Sequence, residues 1–201
     1  MAQATVRTAA AVTLAAAVLD LVILALFHVV QPEVDALRHA TSNYVHGTLG
    51  VLSPVAAAAV GVGALTLALA ALRTAPRGVR PRVGVVFLVI FGLAKLSQAF
   101  FPIDAEGAST STGEMHNVLG NLAFFTLPFA VALLTPLLAP AGTSRGWVLA
   151  VTWLPVIATV LVLAGEPLGV FGLLQRLYLV IAALWAAVVA RWLLRAAPVT
   201  P

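Results

Sequence analysis

A chain of 201 residues that is 62% hydrophobic and 9% charged, with a mean hydropathy of +1.07, lacks the composition of a water-soluble domain, where about a quarter of residues are charged. It has no cysteine, which excludes disulfides, thiolate metal centres, iron–sulfur clusters and cysteine nucleophiles together. The net charge of +4 comes from bases confined to a few segments, a placement that argues for membrane topology and against a nucleic-acid surface.

Six apolar stretches can be cut from the chain, at about residues 9–30, 48–72, 84–102, 116–138, 147–164 and 172–193. Each approaches the ~20 residues that cross ~30 Å of hydrocarbon as a helix. The first follows Arg7 but outruns a signal-peptide core, and no small-residue cleavage site comes after His28 and Gln31, so it reads as a retained helix. Residues 31–47, QPEVDALRHATSNYVHG, open on a proline that suits a helix start. Val34, Leu37, Thr41, Tyr44 and Val45 share one helical face. That pattern predicts a short amphipathic helix at the interface, with Asp35, Arg38 and Ser42 or Asn43 elsewhere on it. The second stretch has His46 at its end, Gly50 and Ser53 down its side, and Pro54 as a kink site.

The third stretch ends in KLSQAFFPIDAEG. Pro102 stops the helix and leaves Asp104 at the rim, before a flexible loop of Ser, Thr and Gly. Two charges lie deeper. Asp20 is ~16 Å below Gln31 and Lys95 ~10 Å below Pro102 by the helix rise. Each charge alone at mid-membrane costs about 2.5–3.5 kcal/mol, so an Asp20–Lys95 ion pair between helices one and three is expected. The fourth helix opens with EMHNVLGNLAFF, whose His116, Asn117, Gly120 and Asn121 share a face at three-and-four spacing. The sixth opens with GLLQRLY and places Gln175, Arg176 and Tyr178 at the same level.

The connecting segments orient the bundle. Arg7, Arg73, Arg77, Arg80, Arg82, Arg145, Arg191 and Arg195 fall on one side with no acidic residue. The other side holds Glu33, Asp35, Asp104, Glu106, Glu114 and Glu166, with Arg38 and Arg176 as its bases. Positive segments stay in the cytoplasm, so both termini are expected inside a cytoplasmic (inner) membrane and the acidic loops outside. The whole chain, 1–201, reads as a single all-α membrane domain: a polytopic bundle of six transmembrane helices with a short outer amphipathic helix between helices one and two.

Four segments resemble the bacterial membrane proteins grouped as domain-of-unknown-function family 998. They are Pro32, Asp35, Leu37, Arg38 and Ser42; Phe101, Pro102 and Asp104; His116 with Gly120 and Phe124; and Gln175-Arg176. Val34 and Ala36 depart from the family's usual aromatic and proline. The resemblance implies a six-helix membrane fold and marks these positions, without implying an activity.

The outer polar residues suggest two kinds of site. Asp35, Arg38, Ser42, His46, Asn117, Asn121, Gln175 and Arg176 are candidates to bind a lipid or other amphiphile. Asp104 and His116 are candidates for acid and base in an intramembrane enzyme, because carboxylates beside an apolar cavity acquire raised pKa values. His46, Asp104 and His116 also have the chemistry of metal ligands, although no metal or cofactor motif is present. A small proton-coupled carrier using Asp20 and Lys95 is the third reading; no internal repeat supports it. Membrane lipids and an apolar small molecule are the expected partners, with no nucleic acid.

Overall fold

The computed structural model describes residues 2–196. Six α-helices follow one another: α1 Ala2–Val30, α2 Leu52–Thr74, α3 Val79–Gln98, α4 Ser111–Leu138, α5 Arg145–Gly165 and α6 Phe171–Ala196. A 3-10 helix, Thr41–His46, lies between α1 and α2, and the described residues contain no strand. The α2–α3, α4–α5 and α5–α6 connections are short and make those neighbours antiparallel, while residues 31–51 and 99–110 form longer links. Each helix packs against the next, and α6 returns to pack on α1, so the six form a ring.

Five helices, all but α3, are long and apolar enough to cross a membrane. α3 carries Arg80, Arg82 and Lys95 in its 20 residues, yet it lies fully within the ring, between α2 and α4. Gly61 and Gly92 bring α2 and α3 together: a Cβ on Gly61 would stand 2.8 Å from Gly92 O, and one on Gly92 3.1 Å from Gly61 O. Small residues permit this close approach, which supplies dispersion contact where lipid offers no hydrophobic drive.

The burial pattern is that of a membrane-embedded, multi-pass protein. Large apolar side chains such as Val18, Val22, Phe125, Phe129, Leu154 and Leu161 face outward, while Ala10, Leu67, Leu88, Leu127, Val131, Leu134 and Val189 fill the interior. Buried threonines return their hydroxyls to the helix backbone, as Thr135 does to Val131 O (2.7 Å) and Thr152 to Val148 O (2.7 Å). That leaves no unmet donor in an apolar setting. Thr135 Oγ1 also accepts from Trp185 Nε1 at 2.9 Å, tying α4 to α6.

Several boundaries differ from the sequence reading. α3 begins at Val79, with two arginines inside its first turn, and ends at Gln98 rather than 102. α4 begins at Ser111, five residues earlier than expected. Thr110 caps it there by accepting from Gly113 N (3.2 Å). Pro54 is the third residue of α2; in a first turn its missing N–H has no intrahelical partner to lose, so it introduces no kink.

The amphipathic helix expected to start at Pro32 is not formed. Residues 32–40 are turns, and only Thr41–His46 is helical, as a six-residue 3-10 segment. Two side chains compete for the backbone groups that a helix would need. Asp35 Oδ1 accepts from Leu37 N (2.8 Å) and Arg38 N (3.3 Å), while Arg176 takes the carbonyls of Ala36 and His39.

Candidate functional site

The end of the ring that carries residues 31–51, 99–110 and 166–170 is built around Arg176, buried at 6% exposure on the first turns of α6. All three guanidinium nitrogens donate. Nε reaches His28 Nε2 (2.9 Å); Nη1 reaches Ala36 O (3.1 Å), His39 O (2.7 Å) and Gly172 O (2.9 Å); Nη2 reaches the Tyr44 hydroxyl (3.0 Å). The guanidinium carbon also stands 5.3 Å from the Tyr44 ring centroid. A buried charge thus has its N–H groups met by neutral oxygens, nitrogen and a π face instead of a carboxylate. Gln175 extends the clamp, its Oε1 accepting from Thr41 N (2.7 Å) and Oγ1 (3.1 Å). Gly172 lets the segment approach so closely, since a Cβ there would collide with His39 O. Leu173 N donates to Leu37 O (3.1 Å) beside it.

Tyr44 anchors the same segment from below. It is 1% exposed and stacks on Phe27 of α1 with centroids 4.6 Å apart. Gln31 is fully buried; in the amide orientation that satisfies its neighbours it donates to Tyr44 O (3.1 Å) and accepts from Leu49 N (3.2 Å). His28 spends both ring nitrogens, since Nδ1 contacts Leu24 O at 2.6 Å and Nε2 accepts from Arg176.

Across the ring, a second chain of hydrogen bonds joins α3 to α4. Lys95 Nζ donates to Gln98 Oε1 (2.7 Å), and Gln98 Nε2 donates to His116 O (3.1 Å) while lying 3.5 Å from His116 Nε2. His116 Nδ1 faces Phe101 O at 2.7 Å, and a carbonyl partner requires that this nitrogen carry the hydrogen. Asp104 is engaged elsewhere: Oδ1 accepts from Thr110 Oγ1 (2.6 Å) and Oδ2 from Thr110 N (2.8 Å).

Those bonds, the hydroxyl's first, hold the Asp104 carboxyl below the usual carboxylate range, with a smaller contribution from His46. The raised value expected of an acid beside an apolar cavity is therefore not found. Asp35 is likewise held low, chiefly by the Leu37 N–H. No hydrogen bond joins Asp104 to His116 or His46 among the described residues. Nor do His46, Asp104 and His116 gather into a group of three metal-ligating side chains there.

Inside the ring lies a cavity of about 820 Å³. Of the residues singled out in the sequence, Arg38, Ser42, Gln175, His116, Asn117, Asn121, Asp20 and Lys95 line it. Asp35, His46, Asp104 and Arg176 are not part of the lining. The deep wall is apolar and aromatic, with Phe91, Phe124, Leu127 and Trp185. The Asp20–Lys95 ion pair is not closed: the contact pair among the described residues is the exposed Arg38–Asp35 bridge, 3.4 Å. Asp20 and Lys95 instead act on each other electrostatically at longer range.

The sequence reading missed Gln31, Tyr44 as an anchor, Gln98 and Gly172. Gln98 carried a usable signal, since it lies one helical turn beyond Lys95 and therefore on the same face. Gly172 carried another, one turn before Arg176.

The profile of the family described as Protein of unknown function (DUF998) matches residues 14–192. The match covers nearly the whole chain, and the chain belongs to that family. No curated protein and no solved structure matches it.

Proposed function

We propose that the protein is a six-pass cytoplasmic-membrane protein that holds one lipid or other amphiphile in its central cavity, with the ligand's polar end at the loop end of the ring. The observation that carries this reading is the cavity's polarity gradient. Its mouth presents Arg38, Ser42, Asn117 and Asn121, while Phe91, Phe124, Leu127 and Trp185 form the deep wall. A volume of about 820 Å³ falls in the range of small-molecule sites, roughly 300–1,000 Å³. An amphiphile matches such a gradient because its head finds donors and acceptors while its chain meets apolar wall.

The position of α3 between α2 and α4 supports its being the sixth span, with Arg80 and Arg82 in its first turn at the arginine-bearing end. The exclusion of acidic residues from the arginine-bearing end supports a cytoplasmic placement of that end, both termini included. The loop end then faces outward. Acid–base catalysis by Asp104 has no such support, because both carboxylate oxygens are committed to Thr110.

Native mass spectrometry of gently extracted protein tests the reading. It predicts one amphiphile per chain, and loss of that mass on Ala57→Trp, which fills the cavity from the α2 wall. An empty wild-type protein, or a bound mass indifferent to the tryptophan, contradicts it.

A further inference from the structure

Asp20 and Lys95 carry opposite charges, both line the cavity, and the protein holds them apart. Asp20 is 8% exposed and forms no hydrogen bond or ion pair among the described residues. Its carboxylate oxygens nevertheless keep accessible surface, since the sealed-off polar atom without a partner among those residues is the Tyr178 hydroxyl. Lys95 Nζ donates to Gln98 Oε1 (2.7 Å) and keeps its remaining N–H groups for the cavity. An uncompensated charge within a membrane protein is costly, and a closed ion pair would offset much of that cost.

Packing on α2 sets the two at one level. α1 meets α2 where a Cβ on Gly63 would stand 2.9 Å from the Ala16 Cβ. α3 meets it where a Cβ on Gly61 would stand 2.7 Å from Leu96 N and 2.8 Å from Gly92 O. Gly61 lies ~3 Å nearer the loop end than Gly63, Asp20 ~6 Å nearer it than Ala16, and Lys95 sits between Gly92 and Leu96. The Asp20 and Lys95 backbones therefore stand within ~2 Å of the same height, on the two helices that flank α2. Each feels the other's charge across that gap. A Cβ on Gly120 would stand 3.1 Å from Gln98 Nε2, which sets the neighbouring Asn121, also in the lining, beside this level. One turn further from the loop end, Phe91 on α3 and Phe124 on α4 begin the apolar wall. The two charges thus stand where polar lining gives way to apolar, the place a headgroup occupies.

Resting on the reading of the cavity as an amphiphile site, we propose that Asp20 and Lys95 select a zwitterionic head, whose ammonium donates to Asp20 and whose anionic oxygen accepts from Lys95. A head with a single charge meets one attractive and one repulsive wall at this level. A neutral head leaves both protein charges without a counter-ion. A zwitterion completes both, and it does so without the net charge that would have to be carried into the ring.

The test is displacement of radiolabelled oleoyl lysophosphatidylethanolamine from the full chain, purified in a neutral maltoside detergent. The competitors have matched chains and differ in charge: lysophosphatidylethanolamine carries both signs, lysophosphatidylglycerol the anion and oleylamine the cation. The zwitterion is expected to bind about tenfold more tightly than either, the worth of one charge-assisted hydrogen bond. Asp20→Asn is expected to bring the affinity ratio of zwitterion to anionic lipid to within about twofold. Lys95→Gln does the same for the ratio of zwitterion to amine. The wild-type comparison requires no variant, so it decides even where a substitution prevents folding. A wild-type protein that binds the three alike or prefers a singly charged lipid, or a ratio that survives its substitution, overturns the zwitterion subsite and leaves the amphiphile reading standing. Absence of binding by all three overturns both.

Discussion

Arg176 shows how one side chain sets the shape of a distant segment. Its donors reach carbonyls and a hydroxyl on residues 36–44, more than 130 positions earlier in the chain. Arg176→Ala leaves the Tyr44 hydroxyl and two carbonyls without their charged donor, at a cost of about 3 kcal/mol in stability. Thermal unfolding in detergent reads this loss, and Arg176→Lys recovers little of it because an ammonium cannot span the same fork of acceptors. Asp104 makes a pH-dependent counterpart. Its carboxyl is held below the ordinary value of 3.8, first by the Thr110 hydroxyl and then by the Thr110 N–H. A depressed folded-state value means that its contribution is complete above that ordinary value and fades as the pH drops through the lower one. Hydrogen-exchange protection at the Thr110 amide is therefore constant from neutral pH down to about pH 4 and falls only below it. Asp104→Asn brings the weakened state to neutral pH.

At the scale of elements, the helices were legible and the long connection was not. Runs of Ala, Leu and Val announced the spans because a lipid-facing helix needs an apolar surface over most of its length. The face made by His116, Asn117 and Asn121 was legible from helical spacing, and all three do line the cavity. Residues 32–46 misled because their apolar periodicity was real but their carbonyls belong to Arg176, a contact between parts of the chain too far apart for local pattern to reveal. Asp104 misled for a similar reason, since its partner Thr110 lies across a loop whose path the sequence does not specify. The α2–α3 seam gives a prediction of its own. Gly61→Leu forces a side chain against Leu96 N and Gly92 O, each under 3 Å from a Cβ at that site. It should destabilise the bundle by about 1–3 kcal/mol. Gly146→Ala, where a Cβ meets nothing within 4 Å, should not. Unfolding of the two variants side by side checks the contrast.

For the whole molecule, the ring and its cavity follow from the way each helix packs on the next and α6 closes on α1. Six helices in a ring cannot all meet at the axis, and the side chains that face it decide what the space accepts. Small residues such as Ala16, Ala57, Gly63 and Ala183 keep it open, while Asp20, Lys95 and the mouth residues make it polar at chosen depths. Reporter fusions at the two chain ends should place both on the cytoplasmic face, as the arginine-bearing segments require; a terminus found outside would reverse the assignment of the mouth.

The most direct test of the central claim is photolabelling of the membrane-embedded protein with a fatty acid that carries a diazirine at the tip of its chain, the labelled residues being read by mass spectrometry. Occupancy of the cavity predicts adducts on its deep wall, at Phe124, Leu127 or Trp185, suppressed by Ala57→Trp. Adducts confined to outward-facing residues such as Val18, Val22 and Leu161, unchanged by that tryptophan, would show a chain that only brushes the outside of the ring and would contradict the account.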